Sequence, residues 1–283
     1  MNINVEGHSI PYPWVVLRGR LRLSGVNPWD VERIVANVAH ALRKRDTVSE
    51  EDLIQACRSK IPPKDLIVQH SFDVLTEYER LRRERIGPPP VVLVLEGASG
   101  TGKSMLALNM IFNMAATRII STDTVRQILR DFRPKETNPE LHCHTYQAYA
   151  YRQTGPENLN PVVRGYLAQC ELICPHVQRI VQRVVAEGAD TIIEGVHVLP
   201  GDLHDICPSV LEVLINPAPK VHKEMFITKH LTGKLRTVSD NESDRLKEFR
   251  AARLIQDYMV QCVFKSETEI VGFSDYRQAE DAI

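Results

Sequence analysis

One run of residues has the types and the spacing to hold a polyphosphate: Gly97-Ala98-Ser99-Gly100-Thr101-Gly102-Lys103-Ser104. It matches the G-x-x-x-x-G-K-[ST] phosphate-binding loop. Glycines let the backbone turn so that successive N–H groups point at phosphate oxygens. Lys103 is placed to reach the β- and γ-phosphates of a nucleoside triphosphate, with ATP the expected one, and the Ser104 hydroxyl to ligate Mg²⁺. The flanks agree with the motif. Val91–Leu95 is a short, β-branched apolar run that reads as a buried parallel strand. Met105–Met114 is apolar and helix-permissive, so a helix N-terminus also faces the phosphates.

A phosphate loop does not say what is done with the triphosphate. In open α/β sheets the other reacting groups stand beyond the carboxyl ends of the strands. Asp123 and Arg126 follow a second predicted strand, Arg118–Ser121, and Glu194 follows a third, Asp190–Ile193. Phosphoryl transfer needs a carboxylate near the acceptor hydroxyl, a cation for the acceptor, and Mg²⁺. Asp123 suits the first role and Arg126 the second, while Glu194 suits a contact to Mg²⁺ and its waters. Asp123 also reads as a helix N-cap, a role that Ser121 or Thr122 can fill.

Other candidates carry less. His142-Cys143-His144 has no second ligand cluster at metal-binding spacing, and Cys170 and Cys174 lie one turn apart on an amphipathic helix, where packing explains them. His197 reads equally as a substrate contact or a satisfied backbone partner. Lys220, Lys223, Lys229, Lys234, Arg236, Arg245, Arg250 and Arg253 crowd the region after a fourth strand, Leu211–Ile215. Most belong on a solvated helix face. Arg250 and Arg253, three apart on one helix, are the favoured pair to meet the transferring phosphoryl group, and Arg253 is counted with the catalytic residues.

The elements that must position these groups alternate strand and helix from Val91 onward, which predicts a parallel α/β sheet with helices on both faces. Helices are expected at 162–187, ended by Gly188, at 219–230 and at 248–263, and a last strand at 269–271. The stretch 131–161 reads as a long irregular insertion of functional character, and 232–244 as polar and flexible. Residues 1–86 form a smaller, mainly helical domain: a hairpin over 3–5 and 8–10, then helices at 14–23, 29–45, 53–60 and 65–85. Arg18, Arg20 and Arg22 read as a solvated face. Leu66, Ile67, Val74, Leu75, Tyr78 and Leu81 are the expected apolar stripe of the last of these helices. Gly87-Pro88-Pro89-Pro90 is a stiff linker, so the second domain is 87–283.

Composition removes several classes. The 283-residue chain is 43% hydrophobic, enough for a substantial core. A formal net charge of −1 supplies no basic field for nucleic acid, which counts against a nucleic-acid-end kinase. No apolar run is long enough to span a membrane. The start, MNINVEGHSI, lacks the layout of a signal peptide. The 6 cysteines include no C-x-x-C and read as reduced thiols, so a cytoplasmic protein is expected. Nothing in the composition excludes an oligomer.

Two resemblances follow from longer strings. The short β start, Pro11-Tyr12-Pro13-Trp14-Val15-Val16-Leu17-Arg18-Gly19, the helix pair and Tyr78–Arg83 resemble the ATP-cone regulatory domain, although its basic opening is here Asn4-Val5-Glu6-Gly7. Over nearly the whole chain, GASGTGKS at 97–104, IISTDTVR at 119–126, ELHCHTYQAY at 140–149, TIIEGVHVLPG at 191–201, VHKEMF at 221–226 and RLIQDYM at 253–259 resemble the 2-phosphoglycerate kinase family. That resemblance implies a P-loop kinase that moves the ATP γ-phosphate to the 3-hydroxyl of 2-phosphoglycerate. It implies Lys103 and Ser104 at ATP and Mg²⁺, and Asp123, Arg126, Glu194 and His197 near a small anionic phosphorylated acceptor. Met225 and Lys229 stand where arginine is usual, and His144 where a small hydroxyl residue is common. An inositol phosphate acceptor and a nucleotide-sensing regulator without turnover are the other readings. If the loop binds ATP for catalysis, Lys103→Ala should abolish most phosphoryl transfer and leave a folded protein. Near-normal turnover by the folded variant would refute that.

Overall fold

The structure is a computed structural model that describes residues 2–5, 7–232 and 241–283. Lys234, Arg236 and most of the polar 232–244 stretch, like Glu6, lie outside the described residues. The chain divides into two compact units, Met1–Pro89 with Met110–Ala116, and Pro90–Asn109 with Thr117–Ile283.

In the first unit, β1 (Asn2–Val5) pairs antiparallel with β2 (His8–Pro11), the hairpin expected from the sequence. Between α1 (Trp14–Leu23), α2 (Pro28–Leu42) and the helices that follow comes β3 (Thr47–Ser49), which pairs parallel with β1. Nothing in Thr47–Ser49 marks a strand locally, since its ladder is supplied by β1. Ser49 then caps α3 (Glu50–Arg58), its side chain accepting from the Asp52 N–H. α4 (Leu66–Arg83) half-buries Val74, Leu75 and Leu81 of the expected stripe but leaves its other half outside. Phe72 is fully buried, whereas Leu66 and Ile67 are 71% and 83% exposed and Tyr78 is exposed as well. The reason is an ion pair. Arg20 is also buried, contrary to the solvated-face expectation, and its guanidinium lies 5.8 Å from the Phe72 ring centroid and pairs through both ends with Glu79. Phe72 and Glu79 are seven residues apart on one helix face, so satisfying Arg20 sets the rotation of α4.

The second unit is built on a five-stranded sheet, every pairing parallel: β4 (Val92–Glu96), β5 (Arg118–Ser121), β6 (Thr191–Gly195), β7 (Val210–Ile215) and β8 (Glu269–Val271), in the order β5-β6-β4-β7-β8. The chain leaves β4 toward one edge to lay down β5 and β6, then crosses to the other edge for β7 and β8. β4 therefore sits at the reversal, where crevices open beyond the strand ends. Val92, Val94 and Ile193 pack in one core with residues of α6 (Thr122–Phe132) and α7 (Pro161–Ala186). Leu93 and Leu95, which point to the opposite face by the strand period, are also buried, so both faces are covered. α5 (Lys103–Met114) follows the phosphate loop, and α8 (Pro219–Thr232) and α9 (Glu242–Val263) follow β7. α9 starts earlier than the apolar pattern suggests because Asn241 caps it, accepting from the Ser243 N–H. α10 (Tyr276–Ala282), missed in the sequence, is capped by Asp275 and tied to α5 by an Asn109–Glu280 hydrogen bond.

The 131–161 insertion is more ordered than its composition suggests. It carries two 3₁₀ turns, Pro139–His142 and Thr145–Ala150, and buries Leu141, Tyr146 and Ala148.

Glu96, the last residue of β4, is fully buried beside the carboxyl group of Glu212. Burial, followed by the neighbouring Glu212, pushes its pKa well above the usual carboxylate value. The folded state thus keeps a proton that the unfolded chain releases above about 4.5, and stability drains away as pH rises from there toward the folded pKa. Glu96→Gln should flatten the fall in Tm between pH ~5 and pH ~8 and raise Tm at the upper end. An unchanged slope would show that Glu96 is not the group responsible.

Candidate active site

The phosphate loop lies between the end of β4 and the start of α5. Lys103 is buried, its Nζ donating to the Ala98 carbonyl at 3.2 Å, and the Thr101 hydroxyl donates to the same carbonyl at 3.0 Å. The loop is braced from outside by residues that sequence reasoning did not single out. Buried Gln256 of α9 accepts from the Ala98 N–H at 2.8 Å and donates to the Ile215 carbonyl at 3.1 Å, linking the loop to the end of β7. His222 of α8 is buried with Nε2 2.9 Å from the Ser99 carbonyl, and burial lowers its pKa to about 4, so it is neutral at pH 7. Gly100 has φ +83°, and a Cβ there would stand 2.9 Å from Phe226 Cδ2 of α8.

The Ser104 hydroxyl donates to Glu194 Oε2 at 2.9 Å. Register explains this meeting, because Glu194 on β6 pairs with Leu95 of β4 on one side and Ser121 of β5 on the other. Glu194 is buried, within β6 and not beyond its end. The next residue, Gly195, leaves no room for a side chain, since a Cβ would lie 1.8 Å from the Thr122 hydroxyl oxygen. Ser104 and Glu194 together are hard oxygen donors at the mouth of the loop, a set that fits Mg²⁺.

Asp123 stands in the first turn of α6, and Ser121 is the N-cap, accepting from the Asp123 N–H at 3.3 Å. Its carboxylate is therefore spared from capping. It remains 65% exposed and pairs with Arg126 Nη2 at 2.9 Å. Partial desolvation pushes its pKa up, but His197, Arg126, Lys103 and Lys229 outweigh that and hold it below the ordinary value. The pKa of His197 is itself lowered to about 3 by burial. Arg126 also donates through Nη1 to the Cys143 carbonyl at 2.9 Å, and its Nε is a buried donor with no partner. It thus holds the insertion against α6 with its Nε left unpartnered.

Other expected residues have partners of their own. His197 is fully buried and joins Thr122, at 2.9 Å, to Thr145 and Gln169, at 3.2 and 3.1 Å. The structure makes it a junction between β6 and the insertion. Arg253 pairs with Asp257 at 2.6 Å, and its charge reaches His222 under the loop, with Nη1 buried and unpartnered. Arg250 is exposed. His142 bonds the Arg133 carbonyl at 2.8 Å and Cys143 the Glu140 carbonyl at 3.3 Å, so these two serve the fold of the insertion.

Lys229 of α8, and not the exposed Arg250, stands against the phosphate loop. Its Nζ donates to the Ser99 hydroxyl at 3.4 Å, and desolvation, then Lys103, lowers its pKa against the pull of Asp123 and Glu194. The signal was available in the sequence: His222, Phe226 and Lys229 share one face of α8 by their 4- and 3-residue spacing.

The chain is similar to curated proteins named 2-phosphoglycerate kinase. That of Thermococcus kodakarensis is 25% identical over 254 residues, 89% of this chain and 84% of its own. That of Methanopyrus kandleri is 25% identical over 290 aligned positions, 100% of this chain and 85% of its own. That of Pyrococcus furiosus is 32% identical over 167 residues, 55% of this chain and 54% of its own. No protein-family profile matches the chain. Among the described residues no helix is long and apolar enough to cross a membrane.

Lys229→Met should leave Tm unchanged or raised, because folding desolvates the ammonium, while any turnover falls on the order of a hundredfold or more. Wild-type turnover with a lowered Tm would make Lys229 a structural residue instead.

Proposed function

We propose that this chain is an ATP-dependent phosphotransferase that moves the γ-phosphate of ATP to the 3-hydroxyl of 2-phosphoglycerate, giving ADP and 2,3-bisphosphoglycerate. The observation that carries the reading is the pairing of an exposed carboxylate, Asp123, with a buried guanidinium, Arg126, in the field of Lys103 and Lys229 beside the phosphate loop. The similarity to proteins of that name over most of the chain supports the same choice. In this reading residues 87–283 carry the chemistry and residues 1–86 stand apart from it.

The new bond joins the acceptor oxygen to the γ-phosphorus as the bond from that phosphorus to the β,γ-bridging oxygen breaks. Lys103 and the loop N–H groups hold the β- and γ-phosphates. Ser104, with Glu194 behind it, would hold Mg²⁺, which when bound neutralises phosphate charge. Asp123 orients the acceptor hydroxyl and takes its proton. A depressed pKa suits that role, since in a loose transition state the proton leaves late and little basicity is needed. Arg126, with its spare Nε, binds an anionic group of the acceptor. A neutral polyol would leave these cations unpaired.

Turnover over a panel of acceptors tests this. 2-Phosphoglycerate should be phosphorylated far faster than glycerate, because each lost charge-assisted contact costs roughly 1.5–3 kcal/mol. Asp123→Asn should lower kcat by about a hundredfold or more with little change in ATP affinity. Faster phosphorylation of an inositol phosphate, a neutral polyol or a nucleic-acid 5′ end would replace the acceptor, and ATP binding without any turnover would replace the enzyme by a nucleotide sensor.

A further inference from the structure

His144 opens the second 3₁₀ turn of the insertion and is fixed on several sides. Its N–H donates to the Gln147 side chain at 3.3 Å, and its carbonyl accepts from the Gln147 N–H at 2.8 Å. The preceding carbonyl, that of Cys143, is the one that Arg126 holds. The imidazole lies flat on Tyr146, with ring centroids 5.1 Å apart and planes within 5° of parallel. Tyr146 is buried and meets Phe226 of α8 edge-on at 5.9 Å, and Phe226 abuts Gly100 of the phosphate loop. His144 is thus mounted, half-buried, on an aromatic seam that runs from the insertion to the loop.

The charges that face this ring come from the acceptor side of the cleft: Arg126, Asp123 and Arg130 on α6, and Lys229 on α8. Three cations against one carboxylate leave an excess of positive charge. Burial first, and then Arg126 and Lys229, hold the pKa of the imidazole below the ordinary value.

We infer that His144 is a specificity-determining contact for an acceptor bearing two anionic groups, and that it takes up a proton when such an acceptor enters. This rests on the kinase reading above. Arg126 offers its unpartnered Nε, Lys229 is directed at the phosphate loop, and Arg130 is engaged by the Leu141 carbonyl and Gln127. The first anionic group offsets the charge of Arg126, and the second then lies among groups where an imidazolium is stabilised. The proton comes from solvent, and the imidazolium donates a charge-assisted hydrogen bond to the second anion. A singly anionic acceptor would leave the ring neutral and gain nothing from it.

The sign of the pH effect follows. A group whose pKa rises on binding strengthens binding below its bound-state pKa, and the benefit disappears as pH climbs through that value. The test compares wild type with His144→Asn and with His144→Phe, the latter keeping a ring on Tyr146 that cannot be protonated. The 2-phosphoglycerate KM of either variant should exceed that of wild type roughly tenfold or more at pH ~6 and approach it at pH ~8, with kcat and the ATP KM little changed. The preference for 2-phosphoglycerate over glycerol 2-phosphate, which lacks the carboxylate, should shrink by a similar factor. Calorimetry of the full chain with 2-phosphoglycerate in buffers of different ionisation enthalpy should show proton uptake near pH ~7 in wild type and not in the variants. A KM ratio that is the same at every pH, or uptake retained by both variants, would overturn the role of His144 while leaving the kinase intact. A wild type that neither binds nor turns over 2-phosphoglycerate would overturn the kinase reading, and this inference with it.

Discussion

The second unit depends on keeping positive charge concentrated at the carboxyl ends of three parallel strands. Lys103, Arg126 and Lys229 come from α5, α6 and α8, and the field of each falls on Asp123. In water such a cluster would be screened. Here the buried Glu194 and the half-open Asp123 are what balance it. The cations cannot relax away, because each is tied down: Lys103 to Ala98, Arg126 to Cys143, Lys229 to Ser99. A site held in this way has its electrostatic work done before a ligand arrives, which is the economical arrangement for a reaction whose transition state is mostly spread negative charge.

That arrangement needs rigid support, and the support is largely neutral. Gln256 and His222 hold the loop carbonyls and N–H groups from behind, and His197 joins β6 to the insertion without carrying charge at pH 7. Tyr146, Phe226 and Phe249 form an edge-to-face seam that fixes the insertion against α8 and α9. Neutral imidazole and aromatic surface add stiffness without disturbing the charge balance in front of them. Glu96 at the end of β4 follows the same rule, since burial favours its neutral, protonated form.

The loop, its strand and its helix were legible in the sequence because they are local. Glycine spacing, a β-branched run and a helix-permissive run lie side by side, and each acts within a few residues. The parallel α/β class followed from the alternation of such runs, and Asp123 and Arg126 followed because they stand one turn apart immediately after a strand. The same residues made an anionic acceptor the expectation.

What the sequence could not supply was every feature set by a partner distant in the chain. Arg20 looked solvated until Glu79 met it, and Phe72 and Glu79 rather than Leu66 and Ile67 face it from α4. β3 exists because β1 offers it a ladder. Lys229 was one cation in a crowd that its spacing with His222 and Phe226 set on one face of α8, and the approach of that face to Ser99 separates it from Arg250, which points to solvent. His197 could have been a ligand contact or a structural hub, and the crossing of Thr122, Thr145 and Gln169 around it decided for the hub. Residue type and short-range spacing determine which chemistry is available, whereas burial and charge neighbourhood, which come from packing across the sheet, decide which of several chemically equal side chains is placed to perform it.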